Sequence, residues 1–209
     1  MFSPESKYYI RSMPGGKLYV QAMAWLEMKR WELSKRSGAY PAMKKRMMIS
    51  DLIRKNFIQW FVETGTFLGD TTYVASKICK RVDTIEVSER LHTLAEKRFS
   101  SMPHVHCHLG DSGDVLGKIT LVQTEPALFW LDGHFSGGFT ARGAEDTPVF
   151  RELLHISARN QPKDIILIDD ARCFGTDPAY PSEADLMRFA GGLGYQITRS
   201  GDTFLLTKP

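Results

Sequence analysis

The sequence has little of what would mark several common protein classes. Its 209 residues include only three cysteines, Cys79, Cys107 and Cys173, odd in number and widely spaced. No Cys-x-x-Cys pair occurs, so neither a zinc ribbon nor a disulfide framework is indicated, and reduced thiols are expected. No apolar run approaches the length that spans a bilayer, and the opening Met-Phe-Ser-Pro-Glu lacks a basic-then-apolar leader pattern. A cytoplasmic chain with no membrane partner is the expectation. An excess of one charge is also missing. Lys and Arg number 27 against 24 Asp and Glu, a formal +3, well short of the bias of a dedicated nucleic-acid binder. Internal repeats, low-complexity tracts and the dinucleotide fingerprint G-x-G-x-x-G are absent. What is there, 43% hydrophobic and 24% charged residues, suits one well-buried globular core.

Two regions differ in character. Residues 1–55 are rich in Lys, Arg, Met and aromatics. Apolar positions spaced among charges predict an amphipathic helix over 17–35 and a second, basic helix over 43–56, separated by a turn at Ser37–Pro41. This part reads as a helical extension or lid, and as the place where a homo-oligomer would form. From residue 56 to 209 short apolar runs alternate with helical segments. Strands are predicted at 57–63, 82–87, 104–109, 127–131 and 165–168. Helices are predicted at 71–80, after Ser88, at 112–119, after Pro148 and at 182–189. A hairpin closes the chain at 195–206. Alternating strands and helices give an α/β fold with a mostly parallel sheet covered on both faces.

Ligands of open α/β sheets bind outside the carboxyl ends of the strands, and the chemistry-bearing residues gather at those ends. The first strand runs into Glu63-Thr64-Gly65-Thr66-Phe67-Leu68-Gly69-Asp70-Thr71. Gly65 would let the backbone approach a ligand closely, and Gly69 would permit tight passage into a helix. The second strand ends in Glu86-Val87. An acidic side chain about twenty residues after the first turn can accept both hydroxyls of a ribose; a solvated Glu at a helix start explains it as well. The third ends in Asp111-Ser112, where either side chain could equally cap a helix. The fourth strand ends Asp132-Gly133-His134 and the fifth Asp169-Asp170. Three carboxylates cannot stay ionised side by side without a cation or raised pKa values. Oxygen ligands of this kind suit Mg²⁺ or a similar hard cation, which would orient a substrate hydroxyl, and His134 could take its proton. Turn or capping roles for Asp169 and Asp170, and a loop role for His134, stay open.

The order of elements and the acidic-x-Gly-x-x-x-Gly loop resemble the seven-stranded, Rossmann-like class I methyltransferases that bind S-adenosylmethionine. That resemblance implies donor contacts from Glu63, Thr64, Gly65, Thr66, Gly69, Asp70, Thr71, Glu86, Val87, Asp111, Ser112 and Asp132, with Asp111 toward the adenine amino group. Leu131-Asp132-Gly133-His134 and Ile168-Asp169-Asp170 further resemble the Asp-Gly-Asp and Ile-Asp-Asp segments of metal-dependent sugar O-methyltransferases of macrolide and aminocoumarin biosynthesis. This implies a divalent cation on Asp132, Asp169 and Asp170, catalytic roles for His134 and Asp132, and a small-molecule acceptor such as a sugar or glycoside. His stands where that family has Asp at the base position. The chain is also similar to small methyltransferase-like proteins with Trp-Leu-Asp-Gly-His and Ile-Asp-Asp-Ala-Arg segments. Two other readings stand beside this one: a metal-independent methyltransferase, and an inactive methyltransferase-like binding module.

Other features carry less. His104, His106 and His108 alternate, so they would face one side of a strand, but a covered parallel strand seldom closes a metal site alone. Arg142, Arg172 and Tyr180 could meet an acceptor or be surface residues. Gly137-Gly138 could be a hinge or a turn. Lys44-Lys45-Arg46 is too short a basic cluster to indicate nucleic acid.

Overall fold

The computed structural model describes residues 9–10, 13–35, 38–133 and 147–209. Helices α1 (Gly16–Leu33) and α2 (Ala42–Lys55) precede β1 (Trp60–Thr64), α3 (Asp70–Ser76), β2 (Arg81–Glu86), α4 (Glu89–Phe99) and β3 (Val105–Leu109). There follow α5 (Ser112–Leu121), β4 (Ala127–Leu131), α6 (Val149–Ala158), β5 (Ile165–Ile168), α7 (Glu183–Gly192), β6 (Gln196–Ser200) and β7 (Thr203–Thr207). The strands form one seven-stranded sheet in the order β3-β2-β1-β4-β5-β7-β6. β1 to β5 run parallel, and the hairpin pairs antiparallel through β7. The expected α/β sheet with a closing hairpin is therefore the observed one. Strand order reverses between β1 and β4, which opens the crevice where such sheets take ligands.

Burial explains the arrangement. Every residue of β1 and β4 is buried, so both sheet faces need a cover. Trp60, Val62, Phe129, Leu131, Ile166 and Ile168 pack on one face, with Leu116, Leu153 and Leu186 of α5, α6 and α7. Phe61, Leu128, Trp130 and Leu167 pack on the other, with Ala95 and Phe99 of α4 and Ile49 and Ile53 of α2. Each such side chain contributes roughly 1.5–3 kcal/mol by leaving water. α2 is thus a covering helix of the sheet. Helix starts follow local chemistry: the side chains of Ser88, Asp111 and Ser182 each accept a backbone N–H of the first turn.

Three expectations need correcting. The first strand begins at Trp60 rather than Phe57. Phe57 has φ of 55° and is 84% exposed, because Asn56 and Phe57 close α2 with bonds to Leu52 and Arg54 carbonyls. The hairpin does not simply add an edge strand: β7, with Phe204 and Leu206 buried, inserts beside β5, and the exposed β6 takes the edge. β3 is the opposite edge, half-buried rather than covered on both faces. Among the described residues no helix is long and apolar enough to cross a membrane.

Candidate functional site

The β1–α3 loop crosses the tip of β2. Backbone N–H groups of Gly65 and Thr66 both donate to the Ile85 carbonyl, at 2.9 and 3.1 Å. Gly65 has φ of 87°, and a Cβ there would collide with the carbonyl oxygen of Asp132. This backbone-to-backbone approach of the β1 and β4 tips by itself requires glycine at that position. Gly69, φ 72°, caps α3, and a Cβ there would lie 2.7 Å from the Phe99 ring. Asp70 pairs with Arg98 at 2.9 Å.

Glu63 and Glu86 lie at the neighbouring tips of β1 and β2, beside this loop. Glu63 is 2% exposed and accepts hydrogen bonds from the hydroxyls of Thr72 and Thr84. Burial pushes its carboxyl up to about 7, aided by the charges of Asp70 and Glu86 and opposed by the two threonines. Glu86 accepts the Phe67 N–H at 2.8 Å and the Ser88 N–H at 3.0 Å. Burial raises its pKa, against these backbone donors. Thr64 Oγ1 accepts the Asp132 N–H at 3.2 Å, and Thr66 shares a 2.6 Å hydroxyl bond with Thr84. At the β3 tip, Asp111 caps α5 through the Gly113 N–H at 2.9 Å and also faces Arg151. The helix-cap alternative for Asp111 is therefore observed.

The β4 and β5 tips carry the acidic edge. Asp132, Asp169 and Asp170 come together as expected, and Asp202 of the β6–β7 turn joins them. Oxygens of Asp169, Asp170 and Asp202 lie within 4.8 Å of one another. Burial pushes Asp132 up to about 7, with Lys45 opposing and Asp170 and Glu63 reinforcing. Asp169 is also raised, by burial and then by the charge of Asp132. Where the resemblance puts a divalent cation, the structure puts the ammonium of Lys45, which bonds Asp169 and lies 3.5 Å from Asp170. Burial alone would lower the Lys45 pKa, but Asp169, Asp132 and Asp170 raise it above the ordinary lysine range. Arg172 bridges Asp170 at 2.6 Å and Asp202 at 2.5 Å. Beside this edge a cleft is lined by Leu131, Val149, Phe174 and Tyr180, with Glu152 and Asp169 as its acidic members.

Sequence reasoning missed Lys45, Glu152 and Asp202. The signal for Lys45 was its i, i+4, i+8 spacing with Ile49 and Ile53, which puts it on the buried face of its helix. His134, Gly137-Gly138 and Arg142 lie outside the described residues. The three alternating histidines do not form a cluster. His104 bonds the Ser76 carbonyl and His108 bonds Asp83. Asp83 is held at about 2: burial raises it, but His108, Arg81 and Trp60 donors outweigh burial.

No protein-family profile matches the chain, and no curated protein matches it by sequence. Solved structures match it by shape. A Staphylococcus aureus protein assigned as a caffeoyl-CoA O-methyltransferase superposes with a TM-score of 0.60 at 13% identity, covering 94% of this chain and 100% of its own. The N-methyltransferase NodS of Bradyrhizobium japonicum, in complex with S-adenosyl-L-homocysteine, gives 0.56 at 13% identity over 80% of this chain and 87% of its own. The precorrin-6y C5,15-methyltransferase of Geobacter metallireducens gives 0.52 at 8% identity, over 83% and 93%. The chain has the Rossmann-like fold of the class I methyltransferases. At these identities the likeness is one of fold.

Proposed function

We propose that the chain is an S-adenosylmethionine-dependent methyltransferase acting on a hydroxyl of a small molecule, a sugar or glycoside by its resemblance. The observation that carries this reading is the placement of two buried carboxyls, Glu63 and Glu86, at neighbouring strand tips under a glycine loop at the sheet's switch point. The NodS complex, on the same fold, supports the donor's identity. The donor brings a methyl group on a positive sulfonium. Glu63, Thr64, Gly65, Thr66, Gly69, Asp70 and Thr71 form the loop that receives its amino-acid end, where an acidic neighbour favours positive charge. Glu86, its carboxylate fixed by two backbone N–H donors, keeps lone pairs for ribose hydroxyls, and Val87, Asp111 and Ser112 border the base.

The acceptor enters by the cleft at the β4 and β5 tips. Its oxygen bonds to the methyl carbon as the carbon–sulfur bond breaks, with that electron pair staying on sulfur. The hydroxyl proton passes to a base at the acidic edge. Asp132 stands there, and His134 is the further candidate from sequence. Acceleration comes from alignment and from charges already in place. Asp132, Asp169 and Asp170 have the oxygen chemistry for a hard cation, but the Lys45 ammonium already stands among them. As arranged they do not fit a divalent ion as well. Three unpaired cysteines fit the cytoplasm.

The test is transfer of a radiolabelled methyl group to a panel of hydroxylated small molecules. Wild type transfers label to at least one acceptor, whereas Asp169→Asn loses transfer but still binds S-adenosylhomocysteine. A wild type that binds no S-adenosylhomocysteine would leave the binding-module reading in its place.

A further inference from the structure

α2 delivers one basic side chain to the acidic edge, and its delivery is built into the core. Lys45, Ile49 and Ile53 share one helix face. Ile49 and Ile53 are 0% and 1% exposed and pack against the sheet, so the same face that anchors α2 aims the ammonium inward. Lys44, its neighbour in sequence, falls off that face. The approach to α2 is anchored on the same rim. The Tyr40 N–H donates to Asp202 at 3.0 Å, the Tyr40 ring meets Trp31 edge-on at 5.4 Å, and its hydroxyl abuts Gly201 of the β6–β7 turn. The Lys45 side chain is 18% exposed, and that of Asp169 is wholly buried. Such a pair differs from a surface salt bridge, because removing one partner strands the other charge.

The rim's negative charge is already partly offset. Asp132, Asp169, Asp170 and Asp202 face two cations, Lys45 and Arg172. An ammonium has three N–H donors. Among the described residues its hydrogen bonds go to Asp169 and Asp170, which leaves one N–H. Asp169 Oδ1 is buried and pairs with no Lys or Arg among the described residues, and the Asp132 carboxyl stands within hydrogen-bond reach of Asp169. One ammonium N–H thus remains beside the Asp132–Asp169 carboxyl pair, a donor next to groups able to take a hydroxyl proton.

We propose that Lys45 is a built-in cation that takes the place of a divalent metal at the acceptor edge, so that methyl transfer by this chain is metal-independent and the acceptor oxygen is received by the Lys45 ammonium. The inference rests on reading this edge as the acceptor side of a methyltransferase. The acceptor hydroxyl donates to Asp169 and accepts from Lys45. As the carbon–oxygen bond forms and the carbon–sulfur pair goes to sulfur, the hydroxyl proton passes to the Asp132–Asp169 carboxyls. The ammonium meets the negative charge that develops on oxygen, with no change in coordination.

The experiment is Mn²⁺ binding, followed by loss of the free-ion paramagnetic resonance signal, in wild type, Lys45→Ala, Lys45→Arg and the Lys45→Ala/Asp169→Asn double variant. S-adenosylhomocysteine binding is measured on the same samples. Wild type and Lys45→Arg leave Mn²⁺ free up to ~1 mM. Lys45→Ala exposes the carboxylates and binds it at least about tenfold more tightly, and the double variant loses that gain. If Lys45→Ala does not fold, Lys45→Met, which keeps the stem, replaces it. Wild-type transfer is unchanged by excess chelator. Equal Mn²⁺ affinity in wild type and Lys45→Ala, whether tight or negligible, overturns the proposal, as does loss of wild-type transfer in chelator. Absence of S-adenosylhomocysteine binding in wild type would instead count against the methyltransferase reading itself.

Discussion

Glu63 should make the fold measurably pH-dependent. Its carboxyl is buried and its pKa stands near 7 against an ordinary 4.5. Below about pH 4.5 the folded and unfolded chains both hold this proton, and it costs nothing. Between 4.5 and 7 the unfolded chain loses its proton first, so stability falls as pH rises. Above 7 the full cost is present. At about 1.4 kcal/mol per pH unit the gap bounds that cost at about 3 kcal/mol. Glu63→Gln keeps the volume and can still accept from Thr72 and Thr84, but it does not titrate. Urea unfolding of both proteins at pH 5 and pH 8 checks this. Wild type should lose about 2–3 kcal/mol more than the variant over that range. The positive sulfonium of the donor favours the ionised carboxylate, so S-adenosylmethionine should also bind wild type more tightly at pH 8 than at pH 6, and Glu63→Gln with little pH dependence. Parallel stability profiles for the two proteins would refute the reasoning.

Other perturbations follow from the same geometry. Gly65→Ala drives a Cβ into the Asp132 carbonyl at positive φ. It should cost roughly 2–4 kcal/mol in chemical unfolding and weaken S-adenosylhomocysteine binding, whereas an unchanged protein would remove the close approach of the β1 and β4 tips. Asp164→Asn breaks the buried Arg159–Asp164 pair at 2.9 Å, while its remaining carbonyl oxygen can keep the bond from the Ala127 N–H. A loss of roughly 3–5 kcal/mol is expected with donor affinity intact. Ile53→Ala loosens the face of α2 that aims Lys45. It should cost roughly 2–4 kcal/mol and lower methyl transfer more than donor binding; equal losses in both would argue against the aiming role.

Much of the fold was legible because parallel central strands must be apolar on both faces. Ala127–Leu131 and Ile165–Ile168 read as continuous buried runs and are β4 and β5. Ser88 announced a helix start by its capping chemistry. Edges were less legible. Whether β6 or β7 lies beside β5 depends on which partner is buried, and a local alternation pattern does not carry that. The convergence of Asp132, Asp169 and Asp170 followed from strand order alone. What filled it did not, because Lys45 comes from a helix far away in sequence and sits within a basic triplet that looked like solvated charge. A second constraint on Gly65 was hidden for a similar reason: its neighbour is the backbone of Asp132, a contact made only when the sheet assembles.

Calorimetric titration of S-adenosylhomocysteine into the full chain bears most directly on the central claim. The account predicts one site per chain, retained in excess chelator and abolished by Glu86→Ala without loss of the folded state. No binding, or binding that Glu86→Ala leaves unchanged, would contradict it.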